Sequence, residues 1–127
     1  MAARKRIFIA FAKEDEYARD LLKGQARNSK TPFDFTDMSV KEAWDKDWKA
    51  KVRTRIKGCD GVVVLLSSHT RLADGEKHEM TCAEEEGIPM LGMHILAEDQ
   101  GRIPPQLAGR KVIIWNWEMV EKFIESL

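Results

Sequence analysis

Five consecutive aliphatic residues, Val62-Val63-Val64-Leu65-Leu66, constrain the fold more than any other segment of the chain. A strand with one face in water alternates apolar and polar side chains, because successive residues point to opposite faces. An unbroken aliphatic run therefore marks a strand covered on both faces, as in a parallel sheet between two layers of helix. Ile7-Phe8-Ile9-Ala10-Phe11 shows the same pattern near the N-terminus. Met90 to Leu96 and Lys111-Val112-Ile113-Ile114-Trp115 supply two more strands, while Phe33-Asp34-Phe35 alternates and reads as a short strand nearer the sheet edge.

Helical patterns fill the intervals. Ala18, Leu21 and Leu22 have helical spacing, with Asn28-Ser29 to stop the run. Ser39 and Glu42 have capping-box spacing, and Trp44, Trp48, Val52 and Ile56 then recur every four residues as one apolar face. Gly58 is placed to end that helix. A third helix is expected from about Gly75 to Glu86, with Asp74 as N-cap, Gly87 just past its end and Pro89 blocking continuation. Glu98 to Gly109, carrying Pro104-Pro105, is a loop. Asn116 is positioned to cap a last helix whose apolar face is Trp117, Val120, Phe123, Ile124 and Leu127.

Strands that alternate with helices in this way predict an α/β fold, a flavodoxin-like three-layer sandwich around a parallel five-stranded sheet. The expected strand order is 2-1-3-4-5, with the last two strands joined by a loop. In that order ligands bind beyond the carboxyl ends of strands one and three. The loop after Phe11, and the loop and helix start after Ser67, are the expected crevice.

Composition narrows the class. The chain has 127 residues, which fits one domain over 1–127, and it carries no internal repeat. Its 21 basic and 21 acidic residues cancel, which gives no electrostatic reason to expect nucleic acid as a partner. Two cysteines, Cys59 and Cys82, without CxxC spacing, point to a reduced, cytoplasmic compartment. Arg4-Lys5-Arg6 and the apolar run after it imitate a secretory signal, but Lys13-Glu14-Asp15-Glu16 follows where a small-residue cleavage site belongs. No stretch approaches the ~20 apolar residues of a membrane span.

The common tenants of this fold are mostly excluded. The loop after strand one, Ala12-Lys13-Glu14-Asp15, is acidic and lacks the Ser/Thr/Gly character that holds a flavin phosphate. Strand three ends in Leu66-Ser67-Ser68 and offers no aspartate to accept a phosphoryl group. Neither GxGxxG nor GxxxxGK[ST] occurs. His69 and His78 have no trustworthy metal-ligand spacing, so no metal site and no bound cofactor is expected. His78 and Cys82 lie four apart and face the same side of a helix, but with no oxyanion device visible they read as a coincidence of helix spacing.

The crevice residues and the strand pattern resemble a TIR domain, and more closely the short bacterial and archaeal TIR-like proteins, including those of Thoeris anti-phage systems. The resemblance runs from Arg6 to Leu127. Arg6 to Asp15 is similar to the family's strand-one motif, and Phe35-Thr36-Asp37-Met38-Ser39 sits where the family has its BB loop. Val62 to Ser68 resembles the buried strand before the active-site helix, and Glu79 falls where the family has its catalytic glutamate. Ala10 stands where the family often has a serine, and Gly75 where it often has a tryptophan.

The resemblance implies that NAD is consumed as substrate, the bond between ribose and nicotinamide being cut. Nicotinamide leaves as a neutral ring from a cationic one, so the leaving group needs no general acid. The sugar becomes an oxocarbenium ion, which a nearby carboxylate stabilises. Glu79 takes that role, and a position near its helix N-terminus favours the anion. Phe11 lines the nucleotide pocket, Asp37 and Ser39 shape it from the BB loop, and Ser67 and His69 contact ligand from the strand-three loop. Water as acceptor gives ADP-ribose; attack by the adenine end gives a cyclic ADP-ribose isomer, a signal for a downstream effector. A homo-oligomer is implied, since TIR active sites commonly form between protomers.

Other readings stand beside this one. On spacing alone, Glu79 belongs to a solvated acidic face with Glu76, Glu84, Glu85 and Glu86. Trp44 and Trp48 read as core or interface residues as readily as a platform for a ligand, and Ser67 and Ser68 suit turn or capping duty. The domain is then a non-catalytic self-assembly module. A nucleoside deoxyribosyltransferase, with a similar fold and a helical glutamate as nucleophile, is the enzymatic alternative.

Overall fold

We describe a computed structural model, which covers residues 5–27, 33–36, 47–100 and 102–127. Strands β1 (Lys5–Ala10), β2 (Phe33–Thr36), β3 (Gly61–Leu66), β4 (Met90–His94) and β5 (Val112–Ile114) alternate with helices α1 (Glu16–Arg27), α2 (Trp48–Lys57), α3 (Asp74–Glu85) and α4 (Trp117–Glu125). The five strands form one parallel sheet in the order β2-β1-β3-β4-β5, as the sequence predicts. β4 and β5 are joined without an α-helix, through a 3-10 turn at Pro105–Leu107.

The register explains the aliphatic runs. Every residue of β3 is buried, because β1 and β4 flank it and helices cover both its faces. Phe8, Ala10, Val62, Val64 and Leu66 point to one face, where Val52, Ile56, Met80 and Ala83 of α2 and α3 meet them. Ile7, Ile9, Val63 and Leu65 point to the other, against Ala18 and Leu22 of α1 and Val120 and Ile124 of α4. Gly92 interrupts β4 with no side chain. A Cβ there would lie 2.9 Å from Leu107 Cδ1 and 3.1 Å from Val112 Cγ2, so the glycine lets the β4–β5 connection close onto the sheet.

Some details depart from the sequence reading. Leu21 is 59% exposed, because Ala18 and Leu22 define the buried stripe of α1 and Leu21 falls on its flank. Asp74 is the first residue of α3 and not its cap; the cap is Ala73, whose side chain offers no acceptor. Gly58 ends α2 without a left-handed backbone, its φ being −83°. Gly87 does adopt one, at φ +69°, and the Ile88 amide closes α3 on Ala83 O at 2.9 Å. Asn116 caps α4 as expected, its side chain accepting from the Met119 amide at 3.2 Å. The stop signal Asn28-Ser29, the capping box Ser39/Glu42 and Trp44 lie outside the described residues. Among the described residues, no helix is long and apolar enough to cross a membrane.

Candidate active site

A cavity of about 720 Å³ opens at the carboxyl ends of β1 and β3, where the strand order reverses direction. Phe11, Ala12, Lys13 and Glu14 line it from the loop after β1. Ser68, His69 and Arg71 line it from the loop after β3, and Asp74, Gly75 and Glu76 from the first turn of α3. Trp48, at the start of α2, completes the described wall. The volume falls in the roughly 300–1,000 Å³ range of small-molecule sites.

A hydrogen-bonded knot fixes the two loops. Ser67 Oγ donates to Asp15 Oδ2 at 2.5 Å and accepts from the His69 amide at 3.0 Å. The Ser67 amide donates to Thr70 Oγ1 at 3.0 Å, and the Ser68 amide donates to Asp99 Oδ2 at 3.1 Å. Burial pushes the Asp15 carboxyl above its ordinary range, opposed by the Ser67 hydrogen bond and the nearby His69. Ser67, expected to contact ligand, is hydrogen-bonded to Asp15 and is not among the described lining residues, whereas its neighbour Ser68 is. His69 does line the hollow, held by its own backbone bond to Ser67.

Phe11 is 1% exposed and lines the hollow from the β1 side, with the Arg19 guanidinium 5.2 Å from its ring centroid. Arg19 is itself buried and ion-paired to Glu16 at 3.0 Å and Asp20 at 2.7 Å. Trp48 stands edge-on to His78, ring centroids 5.3 Å apart. Sequence spacing leaves Trp48 divided between core and ligand platform; the structure places it half-buried against the α2–α3 core and on the cavity wall. Asp37 and Ser39 lie outside the described residues.

The acids of α3 divide. Glu84 and Glu85 are exposed, but Glu76 is 1% exposed and Glu79 fully buried, so a solvated acidic face does not describe the helix. Glu76, Glu79, Met80 and Ala83 follow helical spacing and form the inward stripe. Glu76 lines the cavity; among the described residues Glu79 does not, since it lies one turn deeper along the helix. Sequence reasoning misses Arg71, Lys13 and Glu76 as site residues, because only the fold brings three separate loops and helix ends together.

His78 Nε2 and Cys82 Sγ do meet, at 3.3 Å. Cys82 is fully buried, and burial pushes its thiol above the ordinary value, which suits packing and not nucleophilic attack. Neither cysteine forms a disulfide among the described residues. Among the described residues, no group of three or more His, Cys, Asp or Glu is arranged to hold a metal ion.

Residues 8–100, which span β2, β3, β4 and the cavity-lining loops, match the family described as Thoeris protein ThsB, TIR-like domain. The chain belongs to that family. The fold agrees with more distant TIR-type structures. The TIR domain of the Toll-related receptor TRR-2 from Hydra magnipapillata superposes with a TM-score of 0.72 at 12% identity, over 94% of this chain and 97% of that one. The SEFIR domain of IL-17 receptor B superposes at 0.59 with 14% identity, over 99% and 96%. At such identities the likeness is one of fold. None of the curated proteins matches the chain. The stretch matched to the Thoeris TIR-like family contains Phe11, Ser67, His69 and Glu79.

Proposed function

We propose that this TIR-like protein consumes NAD by cutting the bond between nicotinamide and ribose, with Glu79 steadying the sugar as it becomes cationic. The observation that carries the reading is a cavity of nucleotide-binding size whose α3 wall is backed by buried carboxylates, in a chain of the Thoeris TIR-like family. The bonding electrons leave with nicotinamide and neutralise its ring. The oxocarbenium carbon is then captured by water, which loses a proton to give ADP-ribose, or by the adenine end, which gives a cyclic isomer for a downstream effector. A carboxylate withdrawn from water acts strongly on such a charge, because little solvent screens it. Phe11 and Trp48 offer aromatic walls, and Lys13 and Arg71 offer cations for phosphates. No cofactor beyond the substrate is required, and the setting we assign is the cytoplasm.

TIR domains generally self-associate, and we place the active form in a homo-oligomer whose neighbouring copy closes the cavity over the substrate. Concentrated protein incubated with NAD should release nicotinamide, with turnover per protomer rising as concentration rises. Glu79→Gln should lower that turnover by about 100-fold or more, with an unchanged far-UV circular dichroism spectrum. Turnover within threefold of the wild type would remove Glu79 from the mechanism.

One observation favours a second reading, a non-catalytic assembly module: Glu79 is fully buried and does not line the cavity among the described residues. That reading requires no nicotinamide release at any concentration and self-association that survives Glu79→Ala.

A further inference from the structure

α3 carries a second carboxylate inward, and it is the one that reaches the hollow. Glu76 is 1% exposed, lines the cavity and stands one turn nearer the helix N-terminus than Glu79. Residues three apart on a helix project from one face with Cβ atoms about 5–6 Å apart. A group seated against one carboxylate is therefore within reach of the other. The remaining walls carry aromatic Phe11 and Trp48 and basic Lys13 and Arg71, while the other two lining acids, Glu14 and Asp74, are exposed to solvent, so Glu76 is the buried carboxylate among the described lining residues.

We infer that Glu76 is a substrate-contacting carboxylate that selects for the cationic, oxidised nicotinamide ring, an inference that rests on the NAD reading and deepens it. The ring carries its positive charge before cleavage and is neutral afterwards. A carboxylate facing the ring strengthens binding of intact NAD and lets go of the neutral product. A carboxylate facing the sugar does the reverse, gaining as the charge arrives there. The two acids of α3 thus divide the charge path, Glu76 acting on substrate binding and Glu79 on the transition state. NADH, with the same nucleotide frame and an uncharged ring, lacks the group that Glu76 reads. The basic side chains hold the diphosphate, which both forms share, and so do not discriminate.

Glu76→Gln is the direct test, since glutamine keeps the size of the side chain and suits the same position in the first helical turn. In the 127-residue chain, KM for NAD should rise about tenfold or more, with kcat no lower than that of the wild type, because an interaction lost from the ground state alone does not raise the barrier from bound substrate. Inhibition by NADH should stay unchanged. Glu76→Asp, which keeps the charge, should recover part of the loss. An unchanged KM, or an equal weakening of NAD and NADH, would overturn the inference, the latter because a merely structural defect weakens both. Should the glutamine variant not fold, inhibition of the wild type decides: 1-methylnicotinamide, cationic because its ring nitrogen is methylated, should bind at least tenfold tighter than neutral nicotinamide, and equal inhibition counts against Glu76. A wild-type protein inert toward NAD would take down the parent reading, and this inference with it. Normal wild-type turnover with an indifferent Glu76→Gln takes down the inference alone.

Discussion

On one face of the sheet Ile7, Ile9, Val63 and Leu65 meet Ala18 and Leu22 of α1 and Val120 and Ile124 of α4, in an apolar layer. On the other face Phe8, Val62 and Val64 meet α2 and α3, and there α3 brings Glu76 and Glu79 in beside Met80 and Ala83. The helices reflect the difference. α1 and α4 are strongly amphipathic, whereas α2 and α3 are only weakly so. Withdrawing a carboxylate from water opposes folding, so a helix that carries two of them inward must be held by its neighbours. α2 supplies part of that support, Arg53 pairing with Glu85 and Glu86 at 2.6 and 3.0 Å, while the α1–α4 face packs on aliphatic side chains; the proposed chemistry belongs to the α2–α3 face.

Three substitutions test that division, from the largest expected effect to the smaller. Glu79→Gln, the catalytic test proposed above, should cost about two orders of magnitude in NAD turnover while its unfolding midpoint stays at or above the wild-type value. A large loss of stability would instead make Glu79 a structural member of the α2–α3 layer. Ile124→Ala acts on the opposite face. Ile124 is 1% exposed, and its truncation should cost about 2–4 kcal/mol in urea unfolding. NAD turnover per folded molecule should not change, and a parallel loss of turnover would show that the two faces are not separable. Gly92→Ala overfills the acid-bearing face beside the β4–β5 connection, where the new Cβ meets Leu107 Cδ1 at 2.9 Å. Because the facing atoms are side-chain ends that can give, we expect about 1–2 kcal/mol of destabilisation, read in the same titration.

The same contrast decides what is legible in the sequence. Val62 to Leu66 is buried on both faces, so every position is aliphatic and the strand declares itself. Asn116 and Gly87 act locally, one through a capping side chain and the other through a left-handed backbone, so residue type alone predicts the start of α4 and the end of α3. That the strands run parallel follows from their alternation with helices, because a parallel crossover must pass over the sheet. The site is harder to read. Glu76 and Glu79 look like surface residues in a row of acids, and nothing in their spacing says which of them the sheet covers. Ser67 is expected at the ligand, but its partner Asp15 is distant in sequence and only the crossover between β1 and β3 brings the two together. Arg71 and Trp48 share a wall although they come from different connections. Residues that act through local geometry are written in the chain, and residues that act through topology are not.

Asp15 sits in the knot that ties the loop after β1 to the loop after β3, and provides the smallest of the expected effects. It is 3% exposed, and burial raises its carboxyl above the ordinary 3.8, with Glu14 and Asp99 adding to the rise and Ser67 and His69 opposing it. The native state therefore holds this proton more tightly than the unfolded chain does. The stabilisation that the protonated group contributes is complete below the unfolded value, and it is lost as pH rises through the native one. An asparagine at this position would not titrate, and its side-chain oxygen still accepts from Ser67. The stability of Asp15→Asn relative to wild type should therefore climb as pH rises above about 4 and level off once pH has passed the native value, by about 1.4 kcal/mol for each unit of the native shift. Urea titrations at several pH values measure this difference. His94, whose imidazole is pushed below its ordinary value by burial, titrates in both proteins and cancels from the comparison. A difference that falls with pH would mean that the Ser67 hydroxyl and His69 outweigh burial. The knot between the two loops would then be stabilised by the charge itself.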